Sequence, residues 1–283
     1  MPESARTLEF VKGSLDLRGT AVCGILNVTD DSFSDGGLYY GDTGKAVDRV
    51  DQMVDEGADM IDIGGESSRP GAKPVSADEE CGRVMPVMEK VAGRLGVPVS
   101  IDTWKAQVAS RALQAGASIV NDITGLRGDP DMAEVVSSSG AGIVLMHMQG
   151  NPQNMQRAPH YDDVIAEIKQ FLRAAVDRAV SAGVDRNKIM VDPGIGFGKK
   201  AEHNLEIIRK LDEFKTLGLP VLIGVSRKSV IGHVLGLPVE ERLEGTAALV
   251  ACSVLNGADI VRVHDVKFMR RVADMVDAVK MGA

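Results

Sequence analysis

The chain has 283 residues, 44% of them hydrophobic and 25% charged, with 32 Lys and Arg against 40 Asp and Glu for a formal net charge of −8. That apolar content excludes an intrinsically disordered chain. The acidic balance argues against a general nucleic-acid or anionic-membrane surface, while leaving room for a small anionic substrate held by a few local cations. Three widely spaced cysteines, Cys23, Cys81 and Cys252, form neither a disulfide framework nor a zinc pattern. No apolar run reaches the roughly 20 residues that span a bilayer, and the N-terminus lacks a signal-peptide core, so the cytoplasm is the expected location.

In chain order, residues 8–17 come first: Lys12-Gly13 between two apolar–polar alternations predicts a β-hairpin lying beneath the rest of the fold. A buried strand over 21–28 comes next. One unit then recurs, in which an amphipathic helical stretch ends at a glycine and a short β-branched run begins. Examples are Gly57 to Ile63, Gly116 to Val120, Gly140 to Leu145 and Gly257 to Val261, with Gly183 before Lys188 to Val191 and Gly218 before Pro220 to Ile223 as variants. Glycine just past a helix takes the left-handed position without a Cβ penalty, and short apolar runs read as strands buried on both faces. With Ala21–Val28 and Val97–Ile101 the candidate strands number eight.

The intervening segments carry helix signals. Ser76-Ala77-Asp78-Glu79 reads as a capping box ahead of Val84, Val87, Met88 and Val91. Asp129-Pro130 fits an N-cap followed by N1. Val164, Ile168, Phe171, Leu172, Ala175 and Val176 mark the longest amphipathic stretch. Strand and helix in regular alternation predict an α/β protein, a single-domain (β/α)8 TIM barrel over residues 1–283 with an N-terminal β-hairpin. A doubly wound open sheet is the alternative, because periodicity does not show closure.

Active sites of such barrels sit at the C-terminal ends of the strands. Here those ends read Asn27-Val28-Thr29, Asp62 with Gly64-Gly65-Glu66, Asp102, Asn121-Asp122, His147, Asp192, Ser226-Arg227-Lys228 and Arg262 with His264. Arg227, Lys228, Arg262 and His264 gather cations where barrels often hold phosphate. Asp102, Asn121 and Asp192 place an amide between two carboxylates, a set that suits a flat heterocycle rich in N–H donors and that would be costly to bury unpaired. The alternative for Asp102 or Asp192 is an ion pair with Lys228 in the absence of ligand. Residues 29–44 and 66–71 read as lid loops over the mouth. Residues 192–199 are glycine-rich but lack the GK[ST] ending of a P-loop. No HExxH, CxxC or GxSxG motif is present.

Taken together, Asn27-Val28-Thr29 with Asp31 to Gly37, Asp62 to Gly71, Ser100 to Thr103, Asn121-Asp122, Met146-His147, Asp192 to Lys199, Ser226 to Lys228 and Arg262 to His264 resemble the dihydropteroate synthase family. The resemblance touches all eight strands in order. It implies condensation of 6-hydroxymethyl-7,8-dihydropterin diphosphate with 4-aminobenzoate to dihydropteroate and diphosphate in folate synthesis, by a substitution in which diphosphate departs before the amine attacks. It implies that Asp102, Asn121, Asp192 and Lys228 hold the pterin, with Met146 beside it. Arg262, His264 and the Ser68 hydroxyl would hold the diphosphate, and Asn27 would ligate Mg²⁺. Phe33, Pro70, Phe197 and Ser229 would border the aminobenzoate pocket, with Arg69 in the closing loop. The residues implied to carry the chemistry are Asp102, Asp192, Lys228, Arg262 and His264, and Arg262→Ala is expected chiefly to weaken diphosphate binding. The resemblance further implies a homodimer with small-molecule substrates and neither nucleic-acid nor membrane partners.

Three positions depart from the family pattern: Asp31 stands where Pro is common, Ser68 where Thr is usual, and Trp104 where Tyr is common. None removes a group the reaction needs; they bear on substrate affinity and sulfonamide sensitivity. Two other readings compete, a pterin-binding methyltransferase serving a corrinoid partner and a non-catalytic pterin-binding protein. The first does not need the cation set, and the second does not need Asn27, Lys228 or Arg262.

Overall fold

A computed structural model describes residues 7–30 and 37–282. The expected hairpin is present as β1 (Thr7–Glu9) and β2 (Ser14–Asp16), paired antiparallel with Leu8 opposite Leu15. Eight parallel strands complete the set: β3 (Ala21–Asn27), β4 (Met60–Gly64), β5 (Val99–Asp102), β6 (Ile119–Asp122), β7 (Gly142–Met146), β8 (Ile189–Asp192), β9 (Leu222–Ile223) and β10 (Ile260–Val263). Their spatial order is β8-β7-β6-β5-β4-β3-β10-β9, and a bridge between Val191 and Val221 joins the two ends. Closure of the ring excludes the open doubly wound sheet. Around it lie α1 (Thr43–Asp55), α2 (Ala77–Val91), α3 (Ala106–Ala115), α4 (Met132–Ser139), α5 (Val164–Ser181), α6 (Ala201–Arg209), α7 (Ser229–Leu235), α8 (Leu243–Leu255) and α9 (Val266–Met281).

Period-two alternation sorts each strand's side chains into two cores. Val22, Ile61, Val120, Ile143, Val191, Ile223 and Val261 face the helices and join the main apolar core. Ala21, Cys23, Met60, Ile119, Val144, Met190, Leu222 and Ile260 face the lumen, where Leu8, Phe10, Leu15 and Leu17 of the hairpin segment pack against them. The hairpin is therefore a plug on the N-terminal side of the barrel. Two residues further along the same strands, on the same face, stand Asp62, Asn121, Met146, Asp192 and Arg262. An apolar lower layer and a polar upper layer thus share one lumen, and the upper layer is where the site lies. Close helix packing is visible at Gly24, where a Cβ would come within 2.9 Å of the Met53 sulfur of α1.

Two cap readings need adjusting. Ser76 Oγ accepts from Glu79 N–H at 3.1 Å as expected, but the Glu79 carboxylate accepts from Arg83 one helical turn on. Asp129 does not cap α4, whose N-cap is Asp131. Its carboxylate instead accepts from Ala106 N–H at 2.9 Å and from Asp131 N–H at 3.0 Å. It thereby satisfies an orphan donor at the start of α3, where Lys105 offers no side-chain cap. Sequence proximity favoured the nearer helix; the loop folds back onto the neighbouring one.

Candidate active site

A cavity of about 820 Å³ opens at the C-terminal ends of the strands. Ten of the residues expected at the site line it: Asn27, Ser68, Arg69, Pro70, Asp102, Phe197, Lys228, Ser229, Arg262 and His264. Asn121, Asp192 and Met146 stand in the upper lumen layer without lining the cavity, each no more than 5% exposed. Phe33 and Asp31 lie outside the described residues.

Arg262 organises the floor. Its Nε donates to Asp62 at 2.6 Å and its Nη2 to Asp102 at 2.8 Å, while Asn121 Nδ2 donates to the same Asp62 oxygen at 2.9 Å. Asp62 is fully buried, so a charged partner is what makes its burial tolerable. The two carboxylates push the Arg262 guanidinium well above its ordinary value against the pull of burial. Burial raises the Asp102 carboxyl to about 7, with Arg262 pulling the other way. Asp102 thus pairs with Arg262 rather than with Lys228.

The β8 and β9 ends supply the second half. Asp192 Oδ1 accepts from Gly194 N–H at 2.7 Å, and burial raises its pKa. Gly194 has φ of +72°, and a Cβ there would run into the His147 carbonyl, so only glycine lets the 193–199 loop lie on the end of β7. Within that loop Lys199 Nζ is buried, 2.9 Å from His147 Nδ1, and donates to the Phe197 carbonyl at 3.0 Å. Burial lowers Lys199 to about 7, and burial followed by Lys199 lowers His147 to about 2. Phe197 in turn lies under the Lys228 ammonium, 4.3 Å from nitrogen to ring centroid. Burial brings Lys228 down to about 8.

The expected cluster of four cations is smaller than the sequence suggests. Arg227, at a left-handed φ of +54°, turns to Asp265 in a two-donor pair with Nη2–Oδ1 at 2.8 Å. Burial, reinforced by Arg227, Arg262 and Lys228, holds His264 well below its ordinary pKa. Its Nδ1 lies 2.9 Å from Ser226 Oγ. In the free site His264 is therefore a neutral ring, placed beside the Ser226 hydroxyl. Of the four, Lys228 and Arg262 are the charged groups at the cavity, Arg262 within its pairs with Asp62 and Asp102.

Beside this polar floor sits a small apolar cluster of Ile123, Met146, Met148, Met155 and Phe197, with Trp104 packed against it. A flat ring would meet apolar surface on its faces and carboxylates or amide at its edge, which is the usual make-up of a ligand pocket. Over the mouth, the 66–72 segment lines the cavity. Asp62 and Glu66 are the residues whose importance the sequence understated: both stand in the 62–71 motif, but Asp62 is paired with Asn121 and Arg262 of other strands, and Glu66 with Val75, Trp104 and Lys105 of two loops. Among the described residues no group of three or more His, Cys, Asp or Glu side chains is arranged to hold a metal ion.

The two titrations set a pH dependence. Lys228 loses its proton above about 8 and Asp102 gains one below about 7. A kcat/KM profile is thus expected to peak between those values and fall on both sides, since kcat/KM reports groups of the free enzyme. Lys228→Arg should carry the alkaline limb upward. An alkaline limb that stays in place in that variant assigns it to some other group.

A closed α/β barrel with an apolar plug, a heterocycle-sized polar floor and residual cations at the mouth defines a class of enzymes that grip a flat, edge-polar ring next to an anion. Residues 23–264 match the family model described as pterin binding enzyme. The chain is 52% identical over 259 residues to the dihydropteroate synthase of Bacillus subtilis, covering 92% of this chain and 88% of the relative. It superposes on the crystal structure of Yersinia pestis dihydropteroate synthase in complex with a sulfonamide drug with a TM-score of 0.94 at 43% identity, over 97% and 99% of the two chains. The Xanthomonas albilineans dihydropteroate synthase in complex with 7,8-dihydropteroate gives 0.86 at 38% identity, over 97% and 98%. The chain belongs to the pterin-binding enzyme family and, within it, to the dihydropteroate synthases.

Proposed function

We propose that this chain condenses 6-hydroxymethyl-7,8-dihydropterin diphosphate with 4-aminobenzoate, giving 7,8-dihydropteroate and diphosphate for folate synthesis. The observation that carries the reading is the upper lumen layer: Asp102, Asn121 and Asp192 stand around the barrel floor, with Arg262 among them and Lys228 on the Phe197 ring. The Asp102 and Asp192 carboxylates accept N–H groups of the pterin edge, and Asn121, whose amide N–H is committed to Asp62, offers its oxygen. Pterin binding adds N–H donors to the one each carboxylate already has, Arg262 for Asp102 and the Gly194 N–H for Asp192.

In the reaction the bond from the pterin methylene carbon to the diphosphate oxygen breaks, and its electron pair leaves with diphosphate. The aminobenzoate nitrogen forms the new bond and then loses a proton. An arylamine is neutral at pH 7, so no strong base is required, in keeping with a site built from binding groups. Arg262, Lys228 and the His264 ring face the charge that accumulates on the departing oxygen, and groups placed in advance at that point lower the barrier. The carboxylates stabilise the electron-poor pterin methylene that remains, and the 66–72 loop shields it from water. Pro70, Phe197 and Ser229 border the space for the aminobenzoate ring, with Arg69 at its carboxylate.

The donor set fits Mg²⁺ of a loosely held kind: Asn27 presents one amide at the cavity wall, and Mg²⁺ is usually bound by one or two protein oxygens with substrate phosphates and waters. When bound with the diphosphate, the ion neutralises charge on the leaving group. Incubation of both substrates with the protein and Mg²⁺ is expected to give dihydropteroate, and chelation of the metal to stop it. The sulfonamide in the Yersinia pestis relative and the dihydropteroate in that of Xanthomonas albilineans support a site open to 4-aminobenzoate mimics.

A homodimer is part of the same proposal. On α9 the side chains of Phe268, Met275 and Val279 are each more than half exposed at helical spacing, and Leu255 at the end of α8 is 54% exposed. Such a stripe suits a self-complementary contact. Sedimentation should give twice the chain mass, and Phe268→Lys should shift it toward the monomer. The cytoplasm remains the proposed location; among the described residues no helix is long and apolar enough to cross a membrane.

A further inference from the structure

Glu66 sits just past the glycine pair at the end of β4 and borders both the main cavity and a neighbouring one of about 490 Å³. The condensation chemistry itself gives it no role. Yet its Oε1 accepts from Val75 N–H at 3.0 Å, and its Oε2 accepts both from the Trp104 indole N–H at 2.7 Å and from Lys105 Nζ at 3.0 Å. Lys105 Nζ also donates to Glu80 of α2, which is fully buried. The Glu66 and Lys105 side chains are 13% and 10% exposed, so water competes little for these bonds and the network is stiff.

One carboxylate thus draws together the two ends of the 66–75 loop and ties them to Trp104 and Lys105, just beyond Asp102. The loop so held carries Ser68, Arg69 and Pro70 to the cavity wall. We propose that Glu66 is a positioning residue for the condensation: it fixes the height of the diphosphate-binding loop relative to the pterin floor. The inference rests on the proposed function, in which Ser68 meets the diphosphate and Asp102 the pterin. Trp104 takes part directly, since its indole supplies one of the three donors.

Glu66→Gln tests it. The amide keeps one oxygen for three converging donors and turns its own N–H₂ toward another of them. The KM for the pterin diphosphate is expected to rise about tenfold, the effect of losing one hydrogen bond to a charged group, with kcat within about twofold of the native value. Calorimetric affinity for 6-hydroxymethyl-7,8-dihydropterin, which lacks the diphosphate, is expected to stay unchanged, a result that general loosening of the fold would not give. Trp104→Phe, which removes one donor and keeps an aromatic ring, should move KM in the same direction by about threefold, and it decides the matter if Glu66→Gln does not fold. Native KM in the folded variants, or an equal loss of affinity for the diphosphate-free pterin, overturns the proposal. A native chain that makes no dihydropteroate overturns instead the site reading on which it rests.

Discussion

Replacing Arg262 with alanine is expected to abolish condensation and, at the same time, to cost the fold about 3–5 kcal/mol, the usual penalty when one partner of a buried ion pair is removed. The second effect goes beyond the loss of diphosphate affinity that the sequence suggests. Arg262 is held by Asp62 at 2.6 Å and by Asp102 at 2.8 Å, and without it the fully buried Asp62 keeps, among the described residues, only the Asn121 amide as a partner. Adding Asp62→Asn to Arg262→Ala should recover most of the lost stability by removing the stranded charge, while activity stays absent because the cation at the leaving group is still missing. Urea unfolding of the two variants at neutral pH separates these roles. A single variant with the native unfolding midpoint would show that the paired carboxylates do not depend on Arg262.

Asp192→Asn and Lys228→Ala should behave in the opposite way, with a loss of about 10³-fold in kcat/KM and no loss of stability. The magnitude is that of deleting one well-placed charge-stabilising group. Stability should hold because burial raises the pKa of Asp192 and lowers that of Lys228. A carboxyl with a raised folded pKa gives its stability at acid pH, where it is neutral, and loses it as pH rises through that value. At neutral pH its charge therefore opposes folding, and an amide that still accepts from Gly194 N–H relieves the cost. A lysine lowered to about 8 has the opposite pH dependence, losing stability as pH falls through that value, so at neutral pH its charge also opposes folding. Thermal midpoints equal to or above the native one, alongside the activity loss, are the expected pattern. A marked fall in midpoint would make these residues part of the scaffold instead.

The contrast between Arg262 and the other two shows what the amino-acid sequence carries and what it leaves to the fold. The barrel is legible because each glycine-terminated helix and the apolar run after it are local signals. The polar strand ends are legible because Asp62, Asn121, Asp192 and Arg262 each stand at the C-terminal end of a short apolar run. Closure is not, since it depends on a single bridge between Val191 and Val221. Nor is the partner of Arg262, which lies 200 positions away at Asp62. Arg227 reads as a site cation until the chain turns it toward Asp265, and His264 reads as a charge until burial among cations neutralises it. Asp129 fails as a cap of the nearer helix for the same reason, a contact made by a returning loop. Glu66 stood inside a recognisable motif, but its three donors come from two different loops, and only their meeting in space shows what the carboxylate does.

The most direct test of the central claim is diphosphate release by the purified chain with Mg²⁺ and 6-hydroxymethyl-7,8-dihydropterin diphosphate, measured with and without 4-aminobenzoate. Release that depends on the amine and matches dihydropteroate formation mole for mole is the predicted result. Tight binding of the pterin diphosphate without release, whether or not the amine is present, would contradict it and leave a pterin-binding barrel that performs some other chemistry.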